Sequence, residues 1–132
     1  MKQHIYADNA ATTQLDEAAF EAMIPWLLEE YGNASQPYSF ARKPKKAIAD
    51  ARAVIAECIG ALPEEIFFTS GGTESDNWVI KSSAFSDSQK RAMITSAFEH
   101  HAVLNSCAAI ERLGFPVAYM LPSEEGVITP LR

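Results

Sequence analysis

A chain of 132 residues with 48% apolar and 21% charged side chains has the make-up of one ordinary soluble globular domain with a real core. A net charge of −6 excludes a nucleic-acid role, which needs clustered Lys and Arg; the one basic run, Arg42, Lys43, Lys45 and Lys46, is flanked by acids and reads as a solvated helix face. No apolar stretch is long enough for a bilayer, "MKQHIYADNAATT" has no apolar signal region, and Cys58 and Cys107 suit neither a disulfide framework nor a metal site, so the expected location is cytoplasmic.

In chain order, "IYAD" reads as a short strand. "LDEAAFEAMIPWLLEEYG" reads as a helix: Asp16 caps it, Phe20, Met23, Ile24 and Leu27 have helical spacing, and Gly32 stops it. Pro25 inside that pattern predicts a kink or a break into two pieces. "GNASQPYSF" is a loop by composition. A long amphipathic helix is expected from about Ser39 to Ile59, with Ile48, Ile55, Cys58 and Ile59 along one face, Pro44 in its first turns and Gly60 as its C-cap. An alternation follows. "EIFFTS", "RAMITS" and "PVAYML" read as strands, and "TESDNWVIKSSAF" and "HHAVLNSCAAIERLG" as helices, the second ended by Gly114. Strand–helix–strand–helix–strand predicts parallel pairing through right-handed crossovers. "PSEEGVITPLR" reads as a turn and then a helix start, with Thr129 as N-cap and Pro130 as first helical residue. That ending reads as a piece of a larger fold.

Two strand-to-helix junctions carry chemistry. In "FFTSGGTESDN" a strand passes to a helix through Gly71 and Gly72, which have no Cβ to hold backbone away from a ligand, and Thr73 adds a hydroxyl. A helix N-terminus offers unpaired N–H groups and the positive end of a dipole, so the junction can cradle a phosphate. It is neither the nucleotide P-loop nor the dinucleotide fingerprint. The plainer reading is a tight turn with Thr73 as an ordinary N-cap. In "TSAFEHHAVL", Glu99, His100 and His101 fall at the C-terminal end of a parallel strand, the edge where open α/β sheets carry ligands. One imidazole there can stack on a flat cofactor ring; the plainer reading is a helix cap or a surface residue. A phosphate loop and a stacking His on one sheet edge suit pyridoxal 5′-phosphate (PLP).

"YADNAATT", "YGNAS", "SFARKPKKAIADAR", "EEIFFTSGGTESDN" and "ITSAFEHHAVLNSC" come in the order and spacing of the N-terminal part of cysteine desulfurases, in the class V aminotransferase group. The chain resembles that family over essentially all its length, and "SGGTESDN" looks more like the branch serving iron–sulfur assembly. The resemblance implies an α/β fold: part of the fold-type I PLP-dependent large domain, a mainly parallel sheet flanked by helices, truncated at the C-terminus. Residues 1–14 correspond to an N-terminal arm near the active site and 15–132 to the N-terminal part of the PLP-binding domain. Gly72 and Thr73 correspond to the phosphate-binding pair and His100 to the ring-stacking His. Asn9, Ala10, Ala11 and Thr12 correspond to the segment beside the substrate pocket, and Asn33 to the loop near it. Tyr38 stands where the family commonly has His, and Ala41 where it has Gly, which puts that loop's conformation in question.

The family reaction converts L-cysteine to L-alanine and an enzyme persulfide that passes to a sulfur-acceptor protein. The resemblance leaves no catalytic residue in this chain. Lys2, Lys43, Lys45, Lys46, Lys81 and Lys90 lack the Ser-x-His context of the family's Schiff-base Lys. The pyridine-nitrogen Asp, the substrate-carboxylate Arg and the mobile-loop Cys lie later in family members. Cys58 and Cys107 fall in amphipathic helices, where a small buried hydrophobe is the expected role. The chain alone is therefore expected to be inactive and to form a homo-oligomer through uncovered apolar surface. The alternatives are a non-catalytic piece that folds by self-association and binds PLP weakly or not at all, and another activity of the class V family.

Overall fold

Residues 5–86 and 92–129 are described by the computed structural model, which falls into two units, Met1–Phe67 and Phe68–Arg132. Among these residues no helix is long and apolar enough to cross a membrane. Lys2, Lys90 and the helix start expected at Pro130 lie outside the described residues.

The first unit contains two long helices. Helix α1 spans Glu17–Leu28, and the Asp16 carboxylate caps it by accepting from the Ala19 amide at 3.0 Å. It runs through Pro25 as a single helix, so the expected break is not found. Its end is set at Pro25 nonetheless: the Pro25 carbonyl accepts from both Glu29 and Glu30 amides, at 2.9 and 2.8 Å, and the helix closes before Gly32 is reached. Gly32 serves another purpose. A Cβ there would lie 2.6 Å from the Phe40 carbonyl oxygen, so only glycine permits this approach. Helix α2 spans Arg42–Ile59 after a 3₁₀ turn at Ser39–Ala41. Pro44 sits in its first turn, where its missing N–H is no loss. Gly60, left-handed at φ 67°, ψ 30°, ends it, with the Ala61 amide bonded back to the Ala56 carbonyl at 2.9 Å.

Two expectations for this unit fail. Residues 5–8 form no strand, and neither do 66–69, because neither stretch finds a ladder partner among the described residues. The expected apolar face of α2 is also uncovered: Ile48, Ile55, Ile59 and Cys58 are exposed, whereas the buried positions are the small Ala41, Pro44 and Ala56. Among the described residues the main packing on this helix comes from the flanking 3₁₀ turns. Cys58 is thus not a buried hydrophobe.

The second unit is a β–α–β element with a further helix packed on it. Helix α3 spans Gly72–Phe85, strand β1 Met93–Ser96, helix α4 His101–Arg112 and strand β2 Val117–Met120. The strands are parallel, as the alternation predicts, with Met93 opposite Val117 and Ser96 opposite Met120. Gly114 follows the last turn of α4, its amide bonded to the Glu111 carbonyl at 2.9 Å. The core lies where α4 meets α3 and the sheet: Ala84, Ala102, Ser106, Cys107 and Ile110 are buried, Ile110 completely. The buried Ser106 hydroxyl donates to the Ala102 carbonyl at 2.7 Å, so it carries no unmet polar cost. After β2 the chain turns at 123–126, with the Gly126 amide on the Ser123 carbonyl.

Candidate active site

The junction before α3 differs from an ordinary capped turn. Its N-cap is Gly71, which has no side chain to satisfy the helix amides and holds φ 158°, ψ 178°, a region that only glycine enters readily. Thr73 is therefore not the cap; it is the second residue of the helix and is exposed. The Gly71 carbonyl accepts the Glu74 and Ser75 amides at 3.1 and 3.2 Å. Thr69 Oγ1 also donates to it at 3.2 Å, and bonds Ser75 Oγ at 2.8 Å. Among the described residues the amides of Gly71, Gly72 and Thr73 have no acceptor. A Cβ built on Gly72 would meet nothing within 4 Å. Free amides at a helix N-terminus, open space beside them and the Thr73 hydroxyl form an arrangement able to take an anion. The residues present fit the phosphate of PLP.

Two neighbouring residues, Ser70 and Glu74, shape this turn. Glu74 Oε2 accepts from the Ser70 amide and the Ser70 hydroxyl, both at 2.7 Å. Those two bonds hold the Glu74 carboxyl below its ordinary value, the hydroxyl bond contributing most. A Glu three residues after the N-cap was the available signal.

His100 is the N-cap of α4: its Nδ1 accepts from the Ala102 amide at 3.1 Å, which places the ring proton on Nε2. The plainer sequence reading of this residue is thus realised, and the same bond fixes the imidazole of an exposed residue in one orientation. Its neighbour His101 lies 6.3 Å away between ring centroids, tilted by 54°. Glu99 turns back to accept from Ser96 Oγ at 2.7 Å. Helices α3 and α4 pack together, and Phe85, the last residue of α3, meets Phe115, in the connection between α4 and β2, edge-on at 5.3 Å.

The remaining sequence-derived positions lie in the first unit. Asn9, Ala10 and Ala11 form an exposed turn closed by the Ala11 amide on the Asp8 carbonyl at 3.0 Å, and Thr12 Oγ1 bonds the Tyr6 hydroxyl. Asn33 starts a second turn: its Oδ1 accepts from the Ser35 amide at 3.0 Å and its carbonyl from Gln36 at 3.1 Å. No hydrogen bond joins the two turns among the described residues. The second loop is fastened at both ends by the Lys43–Glu30 ion pair and by Tyr31 packed edge-on against Phe40 at 5.5 Å. Ala41 adopts φ −82°, ψ −15°, a helical conformation open to any residue, and its methyl is buried. The departure from glycine is therefore accommodated without strain. Tyr38 is exposed and precedes the 3₁₀ turn.

The family model described as Aminotransferase class-V matches residues 5–132. The chain belongs to that family. It is 49% identical over 131 residues to the cysteine desulfurase IscS of Dictyoglomus turgidum, covering 98% of this chain and 33% of that protein. It is 46% identical over 127 residues to the cysteine desulfurase IscS of Methanosarcina thermophila, covering 96% of this chain and 31% of that protein. Among solved structures, a NifS-like protein superposes with a TM-score of 0.88 at 37% identity, covering 96% of this chain and 35% of the other. The structure of SspA in complex with cysteine gives 0.86 at 42%, covering 94% and 36%. The chain thus spans about a third of the length of the relatives it matches and corresponds to their N-terminal portion. Its helices and parallel sheet are part of the fold-type I architecture of those structures.

Proposed function

We propose that this chain supplies the cofactor-phosphate and ring-contact portion of a PLP-dependent cysteine desulfurase, which converts L-cysteine to L-alanine and an enzyme persulfide. The observation that carries the reading is the run of acceptor-free amides at Gly71, Gly72 and Thr73, in a chain whose relatives are named cysteine desulfurases. Gly72 and Thr73 would hold the phosphate, and His100, oriented by its capping bond, would lie against the ring. PLP supplies, when bound, the electron-withdrawing ring that loosens the bonds at an amino acid's Cα. Asn9, Ala10, Ala11, Thr12 and Asn33 would border the amino-acid pocket, with residues 1–14 as the arm near it and 15–132 as part of the PLP-binding domain. L-Cysteine as substrate is supported by the relative solved in complex with cysteine. The persulfide would pass to a sulfur-acceptor protein, in iron–sulfur or other sulfur-cofactor assembly in the cytoplasm.

By itself the chain is inactive in this reading, since none of its Lys residues has the family's Ser-x-His context and Cys107 is buried in a helix. A backbone amide NMR titration tests the site. Phosphate should shift Gly71, Gly72, Thr73 and Glu74, and PLP should shift these and His100. The expected strength is millimolar, about −4 kcal/mol. A helix end gives about 0.3–1 kcal/mol and ring stacking about 0.5–1.5 kcal/mol. Shifts that avoid those amides would sink the reading. Alanine formed from L-cysteine and PLP by a variant lacking both Cys58 and Cys107 would refute the inactivity.

Self-association belongs to the same proposal. The chain exposes 11231 Å². Two separate compact bodies, each of half its 14.5 kDa mass, would together expose about 8,300 Å². Phe20, Met23, Ile24, Trp26 and Leu27 on α1 are all more than a third exposed. Such surface pairs with another chain. Light scattering should show a dimer or larger species, and a monomer at high concentration would contradict it.

A further inference from the structure

The first turn of α3 places a carboxylate within reach of the very amides that an incoming anion would use. Glu74 is the third residue of the helix, and an acid at that position ordinarily reaches back to the N-cap amide, here that of Gly71. Glu74 reaches one residue further. Its Oε2 takes the Ser70 amide and hydroxyl, both at 2.7 Å, and so is withdrawn from Gly71, Gly72 and Thr73. The same turn directs the Gly71 carbonyl toward the helix, where it accepts from Thr69 Oγ1 at 3.2 Å and from the Glu74 and Ser75 amides at 3.1 and 3.2 Å. Both negative groups of the turn are thereby engaged away from the open amides, and Ser70 is tied down on the side that precedes Gly71.

We infer that Glu74 is a positioning residue of the anion site, its bonds to Ser70 holding the Ser70–Gly72 turn in the shape that leaves the Gly72 and Thr73 amides free for phosphate. The inference rests on the reading of this turn as a phosphate site. It gives Glu74 two opposed effects on an anion. The acceptor atoms favour binding by shaping the turn, and the negative charge opposes it at short range. Glu74→Gln keeps an acceptor and removes the charge, whereas Glu74→Ala removes both.

The test uses the full chain with inorganic phosphate as probe, followed by amide NMR and hydrogen exchange. Without ligand, the Ser70 amide should be protected in the wild type and in E74Q and lose protection in E74A. Its shift should titrate only in the wild type. Because the Glu74 carboxyl is held below its ordinary value of 4.5, the bonds are fully present above that value and are lost as pH falls through the lower, folded one. With phosphate, E74A should bind about tenfold more weakly, as expected for loss of charge-assisted hydrogen bonds, and E74Q no more weakly than the wild type. A role confined to helix stability would lower amide protection along the first turn of α3 in E74A and leave its phosphate affinity at the wild-type value. Phosphate binding that survives E74A overturns the positioning role alone. Gly72 and Thr73 amides that ignore phosphate, in a wild type whose Ser70 amide still follows Glu74, overturn the anion-site reading and this role with it.

Discussion

Among the described residues, the unit ending at Phe67 contains the longest helix, yet the unit beginning at Phe68 holds the larger buried core. Helix α2, with 18 residues, has apolar residues at helical spacing but buries only Pro44 and Ala56. Helix α4, with 12 residues, buries Ala102, Ser106, Cys107 and Ile110. The contrast lies in what each helix has beside it. Helix α4 connects two paired strands and packs against them and against α3; among the described residues the main packing on α2 comes from short 3₁₀ turns. Amphipathic spacing creates a face to bury, and a neighbouring element is required before that face becomes a core.

The largest expected effect sets the two helices directly against each other. Ile110→Ala should cost about 2–5 kcal/mol, the range for emptying a fully buried aliphatic site. Ile55→Ala, at a position 41% exposed, should change stability by no more than about 0.5 kcal/mol. Urea denaturation followed by circular dichroism measures both, and equal losses would break the comparison. Gly32→Ala sharpens it, because this is a place where the first unit is tightly packed. The new methyl would press on the Phe40 backbone, and overpacking of that kind costs about 1–3 kcal/mol. A neutral result in the same assay would mean the loop opens freely.

The two cysteines probe the same contrast chemically. Cys107 is buried in the second unit, and burial, aided by the nearby Glu111 carboxylate, raises its thiol above the ordinary value. Cys58 is exposed on the first unit. Alkylation by iodoacetamide at pH 8, followed by peptide mass spectrometry, should label Cys58 at least about tenfold faster, since only accessible thiolate reacts. Equal rates would show that the core around α4 opens as readily as the surface of α2. The smallest effect is local. Asp16→Ala removes the cap of α1 and should cost about 1 kcal/mol of helix stability. Faster amide exchange should appear in the first turn of α1 and leave α4 unchanged; faster exchange in both would mean the two units unfold together.

Features that depend on residues near in sequence were legible before the fold was seen. Asp16 as cap, Pro44 in a first turn, Gly60 in a left-handed terminus and Gly114 after α4 all act within a few residues of themselves. The parallel β1–α4–β2 unit was legible for a related reason, since both of its strands lie within the chain. The candidate site was legible in part. "SGGTE" marks a junction with exposed amides, but the sequence does not show that Gly71 is the cap, that Glu74 turns back to Ser70, or that His100 spends its Nδ1 on the Ala102 amide. Those outcomes depend on which of several reachable acceptors the folded backbone presents. Residues 5–8 and 66–69 have strand-like sequences and form no strand, because a ladder exists only when a second strand supplies its donors and acceptors. Tertiary structure alone decided that Cys107 is buried and Cys58 exposed, although both sit on amphipathic helices: helical period sets which side chains share a face, and only packing determines whether that face is covered.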